Sequence, residues 1–245
     1  MKRVLKEIKE LFTLGKLFLI AISILLLSSV YLFLITEHYA VSFIVGLIAM
    51  VFAFYHSFYL PEKMKRNLFL LKELQKYTTS VIFHLQSGYN VIDALKKSKN
   101  NLDPEIKKDI DRTIDRLEKD AILDTNHFKK YNFRPLDIFH QILEIRYNEG
   151  GDSKELFSRT SKSINFELVK YDELLRRKNA LKKQLYLFLA ISLSMPLIFR
   201  FMAYDLQEKF LSMGSLAIGL NVLLFLGALV SLFFIQKNAT NISID

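Results

Sequence analysis

The sequence predicts an all-α membrane protein, with four transmembrane helices as two hairpins flanking a cytoplasmic helical bundle. Three observations predict it. Four uncharged apolar stretches occupy 17–35, 39–59, 185–199 with a tail to 204, and 214–235. Each is close to the ~20 residues with which a helix crosses ~30 Å of hydrocarbon. The segment between the two pairs, 60–183, is dense in charge and reads as a water-facing domain. No segment shows the alternation and turn chemistry of paired strands. The chain therefore divides into an N-terminal amphipathic segment and hairpin (1–60), a helical domain (61–183), a C-terminal hairpin (184–237) and a short tail (238–245).

Orientation follows from Lys and Arg beside the spans. Lys2, Arg3, Lys6, Lys9 and Lys16 precede the first span; Lys63, Lys65 and Arg66 follow the second. Arg176, Arg177, Lys178, Lys182 and Lys183 precede the third, and Lys237 follows the fourth. The opposite loops hold only Glu37 and His38, and Asp205, Glu208 and Lys209. Both termini and the middle domain are thus expected in the cytoplasm. The first apolar stretch is too long for a signal-peptide core and has no small-residue cleavage site after it, so it is read as a retained span. Before it, Val4, Leu5, Ile8, Leu11 and Phe12 against Lys2, Lys6 and Lys9 suit a helix lying on the inner surface.

The net charge of +9 does not indicate nucleic acid. Segment 60–183 mixes 26 Lys and Arg with 19 Asp and Glu. Much of the remaining excess lies where anionic headgroups attract it. The absence of cysteine excludes disulfides, thiol nucleophiles and thiolate-bound metal.

Within the middle domain, Leu60-Pro61-Glu62 is read as a helix start, since proline in the first turn forgoes no hydrogen bond. That helix ends at Ser87-Gly88, where glycine takes the left-handed cap conformation. Asn90 is expected to cap a short helix with Asp93 at its third position, Val91, Ala94 and Leu95 facing inward. Asp103-Pro104 starts a third helix, with a stripe of Ile106, Ile110, Ile114, Leu117 and Ala121 at spacings of three and four. Phe128, Tyr131 and Phe133 fall in a piece without a period. Pro135 opens another helix with Leu136, Phe139, Leu143 and Tyr147 on one face, stopped at Gly150-Gly151. Asp152-Ser153-Lys154-Glu155 reads as a capping box. From there Leu156, Phe157, Ile164, Leu168, Tyr171 and Leu175 continue a stripe, and no Gly or Pro interrupts the chain before Pro196. One helix is expected to run into the third span, where Pro196 kinks it.

No enzymatic constellation is present. The phosphate-binding patterns G-x-x-x-x-G-K-[ST] and G-x-G-x-x-G are absent, as is G-x-S-x-G. The chain is expected not to be an enzyme and to need no metal or other cofactor. His84 and His140 are read as helix-surface residues, and Asp109, Asp111, Asp115 and Glu118 as parts of a solvated face. In the last span Ser215, Gly219, Gly227 and Ser231 share one face, as in a close-packing seam within the chain or with another subunit. Asn221 lies mid-span, where an unpaired amide is costly. Arg200, near the outer end of the third span, is expected to reach toward Asp205.

Two passages carry a family pattern: Leu85-Gln86-Ser87-Gly88-Tyr89-Asn90-Val91-Ile92-Asp93-Ala94-Leu95, and Ile145-Arg146-Tyr147-Asn148-Glu149-Gly150-Gly151-Asp152 before an amphipathic helix and the span with Pro196. They resemble the type II secretion system F domain, over about 68–196. A single copy with spans on both sides is most similar to the tight-adherence (Tad/Flp) pilus B/C-type platform proteins. The resemblance implies a bacterial cytoplasmic (inner) membrane platform subunit of a type IV pilus-like or type II secretion-like machine. Its implied partners are a cytoplasmic hexameric secretion ATPase, a second F-domain platform protein or further copies of itself, prepilins and the lipid bilayer, with no nucleic acid. By the same resemblance, Ser87, Gly88, Asp93, Glu149, Gly150, Gly151 and Asp152 mark motif turns and possible ATPase-docking edges. Two other classes compete. A membrane signalling protein with a helical output domain would carry a phospho-acceptor His motif or a nucleotide-binding domain. A small transporter would place several polar groups at mid-membrane.

Overall fold

The computed structural model describes residues 8, 11–151 and 154–240. Among them the chain is helical, with no strand. The elements are α1 (Leu14–Thr36), α2 (Tyr39–Ala53), α3 (Leu60–Gln86), α4 (Val91–Ser98), α5 (Pro104–Asp120), α6 (Arg134–Glu149), α7 (Lys154–Met202), α8 (Tyr204–Leu211) and α9 (Ser215–Thr240). A π-helical turn, Phe54–Tyr59, joins α2 to α3, and a 3₁₀ segment, Asn126–Tyr131, lies between α5 and α6. Four helical stretches are long and apolar enough to cross a membrane: Leu14–Thr36, Tyr39–Gln86, Lys154–Met202 and Ser215–Phe234. Their outward faces carry Phe18, Leu27, Phe43, Val51, Leu187 and Leu223, all more than half exposed. That much apolar surface is untypical of a water-bathed exterior.

The chain divides into two compact units. One contains the chain through Lys65 and again from Leu175; the other is Arg66–Leu174. In the first, Leu32 and Ile35 of α1, Val45 and Ala49 of α2, and Phe225 and Leu229 of α9 form a buried cluster. Helices α1 and α2 approach closely at Gly46. A β-carbon there would overlap Ser29 Oγ and lie 3.3 Å from Ser28 Oγ. Tyr31 Oη donates to the Leu193 carbonyl at 3.0 Å, in the turn of α7 before Pro196.

The second unit has a core supplied by every helix it contains. Leu74, Tyr77 and Val81 come from α3, Ala94 and Leu95 from α4, and Ile106 and Ile110 from α5. Leu136, Phe139 and Leu143 of α6 and Phe157, Ile164 and Leu168 of α7 complete it. The 3₁₀ segment adds Phe128, 1% exposed, its ring 5.7 Å from that of Tyr77. The stripe on α5 is buried as far as Leu117, whereas Ala121 is the exposed left-handed residue that ends the helix (φ 55°).

Several local expectations are corrected. Pro61 does not start a helix: Tyr39–Gln86 is continuous through the π turn. The physical reason is local. Proline cannot donate to the carbonyl four residues back and its ring crowds it. The widened turn lies directly before Pro61, and the Leu60 amide donates five residues back, to Tyr55. Arg200 pairs with Glu37 at the end of α1, not with Asp205, and stacks 5.4 Å from the Tyr204 ring. The capping box at Asp152 and Ser153, and most of the amphipathic start including Val4 and Leu5, lie outside the described residues. Phe12 is described, its ring 5.8 Å from that of Phe54.

Candidate functional site

The two motif turns are built by glycine. At the first, α3 ends in a Schellman arrangement. The Gly88 amide donates to the Leu85 carbonyl at 3.2 Å and the Tyr89 amide to the His84 carbonyl at 3.1 Å. Gly88 has φ +90°, which a side chain would strain. The accompanying contact is His84 against Tyr89, ring centroids 5.6 Å apart. Asn90 Oδ1 then accepts from the Asp93 amide at 2.8 Å and caps α4. Ser87 and Gly88 are exposed and Asp93 is half-buried. Lys97 lies over the Tyr89 ring, 4.3 Å from its centroid. The surface beside the turn is thus a tyrosine, a lysine and two small polar positions.

At the second turn α6 ends on two left-handed glycines, Gly150 (φ +71°) and Gly151 (φ +80°). Nothing lies within 4 Å of a β-carbon built on either. Backbone conformation, not crowding, demands glycine there. Glu149, Gly150 and Gly151 are exposed. Asp152 is outside the described residues.

Between α3, α5 and the 3₁₀ segment runs a charged network that takes in Asp109, expected on a solvated face. Arg66 donates two bonds to Asp103, at 2.9 and 3.1 Å, and lies 3.5 Å from Glu105. Asp103 also accepts from the Glu105 amide at 2.9 Å, capping α5, and its own amide donates to Glu73 at 3.0 Å. Burial pushes the Asp103 carboxyl up, but the bonds from Arg66 and the Glu105 amide outweigh it and leave it below the ordinary carboxylate range. Lys130 bridges Glu105 (3.1 Å) and Asp109 (2.8 Å). Burial lowers its ammonium, yet both carboxylates together raise it above the ordinary lysine value. Tyr131 donates to Asp109 at 2.7 Å; burial first, then that carboxylate, pushes the phenol up.

Asp109 is 8% exposed and held on both sides, unlike Asp115 and Glu118, which are exposed. Its position explains this: it lies on the inward side of α5, beside Ile106 and Ile110.

His140 is likewise corrected from the surface to the interior. It is 3% exposed, with Nε2 3.3 Å from Tyr77 Oη and its ring 4.6 Å from that of Phe128. Burial, with a smaller contribution from His127, holds its imidazole down to about 3. Its neighbours Leu136 and Leu143, four before and three after, were the available signal. His127 Nε2 lies 2.8 Å from the Asp109 carbonyl and 3.3 Å from Thr113 Oγ1. Among the described residues no three His, Asp or Glu side chains are grouped to hold a metal.

In the last span the polar residue and the small residues lie on different faces. Asn221 is buried and its amide donates to the Ile35 carbonyl at 3.0 Å; Gln207 donates to the same carbonyl at 3.3 Å. Ser215, Gly219, Gly227 and Ser231 are exposed, and nothing lies within 4 Å of a β-carbon on Gly219 or Gly227. Pro196 lies inside α7, which continues past it to Met202.

No family model, no curated protein and no solved structure matches the chain.

Proposed function

We propose that this chain is a non-enzymatic platform subunit of a type IV pilus-like or type II secretion-like machine in a bacterial cytoplasmic membrane. In this reading the four apolar stretches form two membrane hairpins. The unit Arg66–Leu174 faces the cytoplasm and receives a hexameric secretion ATPase, with the turns at Gly88 and Gly150-Gly151 beside the docking surface. A second F-domain protein or a further copy completes the platform, and prepilins are drawn out along the membrane helices.

The observation that carries the reading is α7. It runs for 49 residues without a break. Its first part gives Phe157, Ile164 and Leu168 to the helical unit's core, and its last part gives Leu193 and Leu197 to the apolar cluster. A helix that contributes to both cores suits the transfer of motion from an ATPase to membrane helices. The Ser87-Gly88 and Glu149-Gly150-Gly151 turns supply the family resemblance.

The competing classes have weaker support. His140 is enclosed, so it is not an accessible phosphate acceptor. The Asn221 amide is engaged by a main-chain carbonyl, as in a packing contact. The test is photo-crosslinking in native membranes from Tyr89 and from Glu149, with Lys16 as the control position. Capture of a secretion ATPase from the first two positions but not the third is the expected result. Capture of a response regulator or a transport ATPase would refute the reading.

A further inference from the structure

The connection between the last two apolar spans is itself a helix, α8. Only Ala203 separates it from α7, and only Ser212, Met213 and Gly214 separate it from α9. Three residues of chain reach about 10 Å at most. With α7 and α9 crossing a bilayer, links this short hold α8 at its surface. The rotation of α8 about its own axis is set by Gln207, whose side chain is buried and donates to the Ile35 carbonyl at 3.3 Å. Its first residue is held as well: Arg200, paired with Glu37, stacks on the Tyr204 ring at 5.4 Å.

With Gln207 turned inward, roughly 3.6 residues per turn fix where the rest of α8 points. Asp205 and Lys209 lie opposite Gln207, and Glu208 lies on the flank next to Asp205; all three are exposed. Leu206 and Phe210 share the other flank, Leu206 more than half exposed and Phe210 half-buried. The apolar surface does not stop at α8. Phe201 and Met202 at the end of α7, and Met213 before α9, are also more than half exposed. Along the chain they join the exposed apolar residues of the spans, Phe199 on one side and Leu216 on the other. A tyrosine at such a boundary, here Tyr204, is typical of the layer between water and hydrocarbon. Two acids and one base on α8 give no net attraction to anionic headgroups, so apolar burial is the force available to seat it.

We propose that α8 is an interfacial helix that lies along the bilayer surface, its Leu206–Phe210 flank sunk into the boundary between headgroups and acyl chains. Met202 and Met213 enter the lipid with it, while Asp205, Glu208 and Lys209 stay in water. The partner is the lipid surface itself, continuous with the hydrocarbon that meets the spans. Seated there, α8 keeps Gln207 on the Ile35 carbonyl and so ties the end of α1 to the membrane surface. The inference rests on α7 and α9 crossing a bilayer and is independent of the platform reading.

The chain has no cysteine, so single spin labels can be placed without removing any native residue. The test labels Leu206→Cys, Met213→Cys and Glu208→Cys, with Leu223→Cys in α9 as the span control, in the full chain reconstituted into phosphatidylethanolamine–phosphatidylglycerol vesicles. Accessibility is read with oxygen, which concentrates in lipid, and with a water-soluble nickel chelate. The expected result is a several-fold higher oxygen-to-nickel ratio at Leu206 and Met213 than at Glu208, at a depth of ~5–10 Å, and the highest ratio at Leu223. On the unsubstituted chain, a phospholipid with a photoreactive group near the glycerol end of its acyl chain is expected to mark residues 201–213. Equal nickel access at Leu206 and Glu208 would overturn the proposal by placing α8 in water. A Leu206 label shielded from both reagents would overturn it by showing a protein surface, such as a second copy, on that flank. A Leu223 label open to nickel would overturn the spanning reading and the proposal together.

Discussion

The side-chain amide of Asn221, in α9, donates to the main-chain carbonyl of Ile35, near the end of α1, across 3.0 Å. Carbonyls in a helix's last turn have no partner within the helix. In apolar surroundings such a group must find one elsewhere. Asn221 and Gln207 together provide it, at 3.0 and 3.3 Å. Asn221→Leu is therefore expected to lower stability by roughly 0.5–2 kcal/mol, the range of hydrogen bonds between membrane helices. Adding Gln207→Leu should cost more than the two single changes summed, because each amide covers for the other. Unfolding midpoints in detergent for the two single variants and the pair measure this.

His140 makes stability fall with acid. Its imidazole ionises near 6.5 in the unfolded chain and at about 3 in the folded one. Between those values the unfolded state binds the extra proton, so stability declines as pH drops through that window. At pH 5 the loss relative to neutral pH is about 2 kcal/mol from this residue alone. Asp103 is shifted in the same sense, so its effect has the same direction, and it acts at lower pH. Its depressed carboxyl contributes above the unfolded value near ~3.9 and is lost as pH falls further. Thermal melts of wild type and His140→Leu from pH 7.5 to 5 should diverge in slope. Parallel slopes would mean that His140 does not titrate in this way.

Asp103 has three jobs in one carboxylate and backbone amide: cap of α5, partner of Arg66 and donor to Glu73. Asp103→Ala removes the cap and the ion pair together. Loss of the cap alone costs about 1 kcal/mol, and Arg66, Glu105 and Lys130 then lose the arrangement they share. Asp103→Asn keeps the cap and is expected to recover part of the loss. Comparison of the two melting temperatures separates capping from charge pairing.

Gly151→Val is expected to damage folding by backbone strain, costing roughly 1–2 kcal/mol for a left-handed non-glycine residue. Gly151→Asn should be tolerated better, because asparagine is enriched in that conformation. Open space around the position means that size is not the cause. Equal melting curves for Gly151→Val and wild type would contradict the assignment.

What was legible in the sequence followed from periodicity and from caps. The α5 stripe of Ile106, Ile110, Ile114 and Leu117 is readable because a helix repeats every 3.6 residues. Asn90 and Asp103 are readable because short polar side chains beside a helix start have one common use. The six-residue 3₁₀ segment has no such repeat, so nothing marks Phe128 as a core anchor. Asp109 and His140 were misread for a different reason. A polar residue on an apolar face signals burial only when its partner is known, and Tyr131 and Tyr77 lie 22 and 63 residues further along or back in the chain. Close approach of two helices is likewise not legible from one segment alone. It occurs between α1 and α2, at Gly46 beside Ser28 and Ser29, where the pairing of two segments had to be known first. Of the candidate site, the glycine turns were legible and the surface beside them was not, since Tyr89 and Lys97 meet only through the fold.

The proposed role is that of a membrane platform to which a cytoplasmic secretion ATPase docks. The measurement that tests it most directly is affinity purification of the full chain from native membranes in mild detergent, with mass spectrometry of what accompanies it. A hexameric secretion ATPase together with a second F-domain protein or a prepilin is the expected result. A reproducible partner of another kind, such as a response regulator or an unrelated transport ATPase, would contradict it.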